Sequence, residues 1–148
     1  MKISGVEQIF RTFLGKTMNG LWMSTWHEDR EISPGVPDLH YVMFDESGDQ
    51  QYRVGWLELK AVNKKISKTA NIKVEPSQHQ YTRRWCPHMP IHFCVKVINT
   101  VYLIPGKYHR ELAMATSEVE IAVLAETHFQ SEDLATELPI FLKKITAI

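Results

Sequence analysis

Apolar residues recur at helical spacing near the start of the chain. Within SGVEQIFRTFLGK (residues 4–16), Ser4 is a candidate N-cap and Gly15 stands near the end. The apolar positions are Val6, Ile9, Phe10, Phe13 and Leu14. This pattern predicts an opening amphipathic helix. The next segment, LWMSTWHED (21–29), fits either a short strand or an ordered approach to the turn at Ser33–Pro37.

Two segments after this turn have the composition of strands. DLHYVMF (38–44) and YRVGWLELKAV (52–62) are rich in β-branched and aromatic residues, and the polar stretch DESGDQ (45–50) separates them. We expect the two segments to pair as an antiparallel hairpin. A lysine-rich loop, Asn63–Lys73, follows the second segment.

The middle of the chain predicts a second helix and further strand. Pro76 and Ser77 fit the start of a helix over SQHQYTRRW (77–85), in which Ser77 caps the N-terminus and Trp85 faces inward. Pro87 and Pro90 prevent this helix from running far past Cys86. The segment IHFCVKVINTVYLI (91–104) fits either two strands or one bent strand.

The last two segments complete the pattern. EVEIAVLAET (118–127) fits either a strand or a helix, because apolar and acidic residues alternate over a short stretch. SEDLATELPIFLKKI (131–145) fits a helix with acidic residues in its first turn and lysines in its last, bent at Pro139. The order of helix, strands, helix, strand and trailing helix predicts an α/β fold in which helices flank one mixed sheet.

Composition limits the class of protein. A length of 148 residues fits one domain spanning 1–148, and 44% apolar with 23% charged residues is typical of globular proteins. No apolar window of about eighteen residues and no signal-peptide pattern is present, so we expect a cytoplasmic protein without a membrane partner. With only Cys86 and Cys94 available, a disulfide framework is not expected.

Charge is distributed unevenly although the formal net charge is zero. The stretch Arg53–Arg84 contains 8 basic and 2 acidic residues, and the rest of the chain is correspondingly acidic. This asymmetry is compatible with a local basic surface that contacts phosphate. A solvated lysine-rich loop without a partner is the plainer interpretation, and both stay open.

Candidate chemistry is concentrated on the two β segments. Alternate residues of a strand point to the same face, so Glu58 and Lys60 should project together while Leu57 and Leu59 turn toward the core. Such a pair is often a simple ion pair, but Asp38 stands at the head of the neighbouring segment. Two carboxylates from adjacent strands, with the Leu59 carbonyl as a third oxygen, would suit Mg²⁺, which keeps water and phosphate as other ligands.

These residues lie in motifs with a known counterpart. GVPDL (35–39) and GWLELK (55–60), followed by EPSQHQYTRRW (75–85), resemble the motifs of the PD-(D/E)XK nuclease superfamily. The chain is most similar to its small phage and bacterial members, the VRR-NUC or Holliday-junction-resolvase-like proteins, over about residues 30–104. The resemblance implies a restriction-endonuclease-like fold with an αβββαβ core, followed here by a C-terminal helix. It also implies a bacterial or phage-infected cell.

The resemblance implies a role for each matching position. Asp38 and Glu58 would bind Mg²⁺, or Mn²⁺ in its place, with the Leu59 carbonyl as a further ligand. Lys60 would position or activate the attacking water and stabilise negative charge. The implied activity is metal-dependent hydrolysis of DNA phosphodiester bonds by an endonuclease, with structure-specific cleavage as one form.

Other positions would support this site or hold the nucleic acid. Gln78 would support the site from the second helix, and Glu7 matches a position that sometimes assists metal binding. DNA, whether single-stranded, duplex or branched, is the expected partner, and a role on branched DNA would favour a two-fold homodimer. The residues expected to contact its phosphates are Lys64, Lys65, Lys68, Lys73, Arg83 and Arg84.

Three other interpretations of these residues compete with this one. A noncatalytic nuclease-fold module that binds DNA or inhibits a partner would keep the shape without turnover. CPHMPIHFC (86–94) contains residue types that bind zinc, but its spacing is more typical of buried cysteines and ordinary histidines. Stacking on bases would be open to Trp22, Trp26, Trp56 and Trp85, but Trp56 and Trp85 are expected to fill the core or an interface instead. No glycine-rich phosphate loop, nucleophile elbow or HExxH motif is present.

Overall fold

A six-stranded mixed sheet organises the part of the chain that the structure describes. The structure, a computed structural model, describes residues 8–12, 14, 23–26, 35–44 and 52–145. The strands are β1 (Met23–Trp26), β2 (Leu39–Phe44), β3 (Tyr52–Val62), β4 (Ile91–Val97), β5 (Thr100–Pro105) and β6 (Thr127–Gln130). They lie in the order β1-β2-β3-β4-β5-β6. Strands β3 and β4 are parallel, and the other neighbours are antiparallel.

Helices flank this sheet, as the sequence pattern predicts. The first helix, α1, is described at residues 8–12 and 14. The others are α2 (Pro76–Trp85), α3 (His109–Met114), α4 (Glu118–Leu124) and α5 (Leu134–Ile145), with 3₁₀ turns at Gly106–Tyr108 and Ser131–Asp133. The predicted α/β class and C-terminal helix are therefore confirmed. No helix in the described part of the chain is both long enough and apolar enough to cross a membrane.

Alternate residues of the strands belong to two apolar clusters, one on each face of the sheet. The first core, to which α1 and α5 contribute, contains Phe10, Leu14, Leu39, Tyr41, Leu57, Leu59, Ala61, Cys94, Val101, Leu103, Phe129, Leu134, Leu138 and Leu142. The second core, to which α3 and α4 contribute, contains Ile66, Ile72, Phe93, Val95, Val97, Tyr102, Ile104, Leu112, Ala115 and Ile121. Because Leu57 and Leu59 enter the first core, Glu58 and Lys60 point to the other face.

A long connection is needed between β3 and β4, because parallel strands cannot be joined by a tight hairpin. The lysine-rich loop and α2 provide this connection. The loop is anchored at two points, since Ile66 and Ile72 are buried in the second core. Between them, Ser67 and Ala70 form a turn in which the backbone N–H of Ser67 donates to the Ala70 carbonyl at 3.2 Å. The lysines of this loop are therefore presented on a fixed backbone.

Several local alternatives are resolved by the structure. The segment 91–104 forms two antiparallel strands, in which Val97 pairs with Thr100 across a two-residue turn and Ile98 adopts φ 55°. The segment LWMSTWHED contains β1. The acidic segment after Ser117 forms the helix α4, whose N-cap is Ser117, with the side chain accepting from the backbone N–H of Glu120.

Two predictions about α2 are wrong. The helix begins at Pro76 with Glu75 as N-cap, so Ser77 lies inside it; proline fits the first helical position because the missing N–H has no intrahelical partner there. Trp85 is 38% exposed rather than buried. It is the last residue of α2, and its ring lies at the surface near Tyr81 and His88.

Candidate active site

Asp38 and Glu58 face each other across the β2–β3 pair. Leu39 pairs with Leu57, so Asp38, one residue before β2, lies opposite Glu58 and on the same face of the sheet. The backbone N–H of Asp38 donates to Glu58 Oε2 at 3.1 Å, and the backbone N–H of Leu59 donates to Asp38 Oδ2 at 2.8 Å. The two carboxylates are thus fixed against each other by the main chain.

The turn before β2 brings Asp38 close to the start of α2. Gly35 adopts φ +81°, a left-handed conformation that glycine accepts without strain. A Cβ at Gly35 would overlap the carbonyl oxygen of Ser77, so the turn and the first turn of α2 touch through their backbones. Local backbone geometry therefore sets the distance between Asp38 and the helix that carries Gln78.

Gln78 joins the acid and the lysine. Its side-chain Nε2 donates to Glu58 Oε1 at 2.6 Å, and its Oε1 accepts from Lys60 Nζ at 2.9 Å. The same Oε1 also accepts from the backbone N–H of Glu75 at 2.9 Å, which ties the amide to the helix start. Lys60 Nζ lies 3.6 Å from Glu58 Oε1. Gln78 therefore holds both charged side chains in fixed positions.

All four polar side chains of this cluster are buried. The exposed fractions are 4% for Asp38, 2% for Glu58, 7% for Lys60 and 4% for Gln78. Burying two carboxylates and one ammonium costs free energy unless hydrogen bonds and opposite charge compensate for lost water. The hydrogen bonds to Glu58 and Asp38 supply part of this compensation. A cation bound beside the two carboxylates would add to this compensation, because the cluster contains two carboxylates and one ammonium.

The donor atoms of the cluster fit a hard divalent cation. Mg²⁺ prefers oxygen ligands and is commonly held by one or two carboxylates, with water and phosphate completing its shell. Asp38 and Glu58 can supply such oxygens, and a carboxylate can accept about four contacts, so protein donors and a metal ion can share it. Within the described residues, no group of three or more histidine, cysteine or acidic side chains is assembled. Neutral oxygens, among them the Leu59 carbonyl, would have to complete the shell.

The predicted phosphate contacts are at the surface of the connection between β3 and β4. Lys64, Lys65, Lys68 and Lys73 are exposed on the loop that leads from Lys60 to α2. Arg83 and Arg84 are exposed in the last turn of α2. Glu7, the remaining predicted residue, lies outside the described residues.

The segment that could have held zinc is spread over different environments. Cys94 is fully buried in the first core, where desolvation raises the pKa of its thiol to about 12. His92 Nε2 lies 3.4 Å from Glu126 Oε1, and burial lowers the pKa of His92. Cys86 caps the end of α2, and His88 is exposed in the following turn. These side chains form no three-residue metal group in the described part of the chain.

Aromatic contacts beside the carboxylates differ from the expected core packing. The ring of Trp56 is half-buried and stacks on His40, with ring centroids 4.4 Å apart and planes at 18°. Both residues have the same strand parity as Glu58 and so lie on its face of the sheet. Trp56 thus borders the site rather than filling the first core.

Sequence reasoning missed a pair of histidines next to this cluster. His79 follows Gln78 on α2, and its Nδ1 is 2.6 Å from Nδ1 of His109, the first residue of α3. Burial lowers the pKa of His79, and the charges of Arg110 and Lys60 lower it further. Burial also lowers the pKa of His109. Helical spacing puts His79 on one side of α2 together with Pro76, Gln80 and Arg83, and this was a sequence signal for one member of the pair. Nothing in the sequence linked His79 to His109.

Comparisons with known proteins add no relative from which a role can be transferred. No protein-family model matches the chain, and no curated protein is significantly similar to it in sequence. The assignment of a function therefore depends on the geometry of the residues themselves.

Proposed function

We propose that this chain is a Mg²⁺-dependent nuclease that hydrolyses DNA phosphodiester bonds. One observation carries the proposal: Asp38, Glu58, Lys60 and Gln78 form a single buried, hydrogen-bonded cluster where β2, β3 and the start of α2 meet. Two adjacent carboxylates with a lysine beside them combine groups that hold a cation with one that stabilises a phosphate in reaction.

The order of elements supports a restriction-endonuclease-like core. Helix α1, the antiparallel strands β1, β2 and β3, helix α2 and the parallel strand β4 follow one another as αβββαβ. In this arrangement β3, which carries Glu58 and Lys60, is a central strand of the sheet. Helix α2, which carries Gln78, is the helix that follows β3 in the chain. Fold alone does not establish activity, so the proposal depends on the site.

Each side chain of the cluster has a distinct task in the proposed reaction. Asp38 and Glu58 hold the metal through carboxylate oxygens that the backbone and Gln78 already orient. When bound, Mg²⁺ supplies a water of lowered pKa and neutralises charge on the reacting phosphate. Lys60 Nζ lies 3.6 Å from Glu58 Oε1, which supports a role in stabilising negative charge that develops beside the acids in the proposed reaction. Gln78 is a positioning residue, since it contacts both Glu58 and Lys60.

The surface around the cluster supports a nucleic-acid partner. The loop and helix that connect β3 to β4 expose four lysines and two arginines, which suit the phosphates of a nucleic-acid backbone. Such contacts fix the position of the nucleic acid on the protein but carry little information about its base sequence. We therefore propose DNA as the substrate without a base preference.

A cleavage assay tests the proposal directly. Supercoiled, single-stranded and branched DNA are incubated with the protein in Mg²⁺, Mn²⁺ or EDTA, beside the variants Asp38→Asn and Lys60→Met. Cleavage should require metal and fall by about a hundredfold or more in each variant. Asp133→Asn, which removes an exposed acid from the 3₁₀ turn before α5, is the matched control and should cut normally. Binding without cleavage in either metal would instead identify a noncatalytic DNA-binding module.

A further inference from the structure

A basic cavity opens between α2 and α3, beside the proposed catalytic cluster. Its volume is about 530 Å³, and it is lined by Pro76, His79, Gln80, Arg83, His109 and Arg110. None of these lining residues is acidic. Its two arginines give the cavity about two positive charges before either histidine is protonated. The volume is ample for a phosphate group with its water.

The two helices bring complementary donors to this cavity. His79 and Arg83 are four residues apart on α2 and so share one side of the helix. His109 and Arg110 begin α3 and contribute the opposite wall. Arginine suits phosphate because its planar group donates two parallel hydrogen bonds to two oxygens. Two arginines and two imidazoles are a donor set that suits the oxygens of a phosphate group.

The histidine contact makes the cavity responsive to an anion. With Nδ1 atoms 2.6 Å apart, one ring donates through Nδ1–H and the other accepts, so each ring has Nε2 available for another partner. Adding one proton to the pair turns both Nε2 atoms into N–H donors. The neighbouring charges of Arg83, Arg110 and Lys60 oppose that proton, whereas Glu111 favours it on His109. A bound anion would offset the opposition and allow the pair to donate.

We propose that this cavity binds a phosphate group of the nucleic acid, either a terminal phosphate monoester or a backbone phosphodiester near the cleavage position. The inference rests on the proposed function for the identity of the ligand, because the cavity adjoins the catalytic cluster through consecutive residues, Gln78 and His79. It extends that function by giving the enzyme a second phosphate contact that sets where along a strand, or how far from an end, cleavage occurs.

Phosphate binding can be measured separately from cleavage. Inorganic phosphate is titrated into the metal-free protein in EDTA, and the imidazole signals of His79 and His109 are followed by NMR. Both sets of signals should shift with one common affinity. Arg83→Gln and Arg110→Gln should each weaken that affinity by about tenfold to a hundredfold, the range for removal of one charge-assisted hydrogen bond. Both arginines are exposed, so the variants should fold, which thermal unfolding checks.

A nearby lysine distinguishes a specific phosphate site from general charge attraction. Lys107 is exposed in the 3₁₀ turn just before α3, but it does not line this cavity. Lys107→Gln should leave the affinity for inorganic phosphate within about twofold of the unsubstituted protein. An equal loss of affinity in Lys107→Gln and Arg83→Gln, or histidine signals that do not respond to phosphate, would overturn the proposal.

Oligonucleotides then identify the source of the phosphate. Linear strands with phosphorylated or hydroxyl ends and a circular single strand are bound in EDTA to the protein and to Arg110→Gln. A terminal monoester as ligand predicts tighter binding of phosphorylated ends, with this preference lost in the variant. A backbone phosphodiester predicts that Arg110→Gln weakens linear and circular DNA equally. Phosphate binding without any DNA cleavage in Mg²⁺ would reject the nuclease function and leave the phosphate site standing.

Discussion

The backbone N–H of Asp38 donates a hydrogen bond to the side chain of Glu58, 20 residues later in the chain. The two acids are thus positioned before any cation binds. Asp38→Asn keeps an oxygen that can accept from Leu59 but removes one negative charge. We expect the folded state to change little in EDTA, whereas stabilisation by Mg²⁺, about 2.7 kcal/mol at a hundredfold excess over Kd, should be lost.

Thermal unfolding with and without Mg²⁺ measures this effect without any need for activity. Asp133→Asn serves again as the control, since it removes an exposed carboxylate outside the cluster. The same metal-dependent increase in Tm in Asp38→Asn and in the unsubstituted protein would argue against Asp38 as a metal ligand.

Gln78 should matter for stability as well as for the proposed reaction. Replacing it with leucine removes hydrogen bonds to Glu58 Oε1, Lys60 Nζ and the backbone N–H of Glu75. Leaving buried polar groups without partners costs about 1–3 kcal/mol each, so Gln78→Leu should lower the free energy of unfolding by at least that amount. Urea unfolding measures the change. Gln80→Leu, on the exposed side of the same helix, should change it by less than about 0.5 kcal/mol.

Strand periodicity predicted the centre of this site well. The hairpin of β2 and β3 was apparent from two β-rich segments and a polar break. Alternation placed Glu58 and Lys60 on one face of β3, and the hairpin brought Asp38 next to them from the neighbouring strand. The role of Gln78 as a bridge could be expected only from the resemblance. Its actual hydrogen bonds depend on Glu75 and Pro76 beginning the helix, whereas the pattern pointed to Ser77.

The parts that escaped prediction are short or depend on distant residues. Helix α3 has six residues and β6 has four, too few to show a clear period. His79 and His109 are 30 residues apart, and only the packing of α2 against α3 joins them. Trp85 looked like a core residue by type, but the end of its helix is at the surface.

The lysine-rich loop should govern how DNA affinity depends on salt. Replacing Lys64, Lys65 and Lys68 with alanine should weaken binding and flatten the plot of log affinity against log salt by about 0.9 for each phosphate that the loop no longer neutralises. Ile66 and Ile72 stay in place, so the loop backbone should keep its position. Fluorescence anisotropy over a range of salt concentrations measures the slope. Lys144→Ala, on α5, is the control. An unchanged slope in the triple variant would show that the loop does not contact DNA.

Acidic pH should destabilise the protein partly through the histidine pair. The pKa values of His79 and His109 are lowered from 6.5, chiefly by burial, so the unfolded chain binds protons more readily than the folded one. The contribution of the pair to the free energy of unfolding should therefore be fully present above pH 6.5 and be lost as the pH falls below it. His79→Gln should make this fall shallower between about pH 7.5 and pH 5.5.

Urea unfolding over that pH range provides the measurement. His92, whose pKa burial also lowers, remains in the variant, so the dependence should be reduced rather than abolished. Inorganic phosphate should also reduce the pH dependence of the free energy of unfolding, because an anion in the cavity would favour the protonated histidine pair. Identical pH profiles for His79→Gln and the unsubstituted protein would show that the pair does not contribute.

Gly35 should tolerate no side chain, although it has no part in the proposed reaction. Gly35→Ala introduces a Cβ in a left-handed conformation, at a cost of about 1–2 kcal/mol, and overlaps the Ser77 carbonyl as well. We expect lower stability and weaker Mg²⁺ binding, since the turn that carries Asp38 must move away from α2. Gly35→Asn relieves part of the conformational cost but not the overlap, so it should remain destabilised. Differential scanning calorimetry measures the stability, and isothermal titration with Mg²⁺ measures the affinity. A Gly35→Ala variant with the same stability and Mg²⁺ affinity as the unsubstituted protein would contradict this expectation.

The connection between β3 and β4 separates two parts of the proposed site along the chain. Glu58 and Lys60 stand before the loop and Gln78 after it, while the exposed lysines lie around buried anchors. Changes in length or charge between Ile66 and Ile72 should therefore alter which ligands this surface contacts without disturbing the buried cluster. Under the proposed function, variants of this loop should differ in substrate preference while they share one set of catalytic residues.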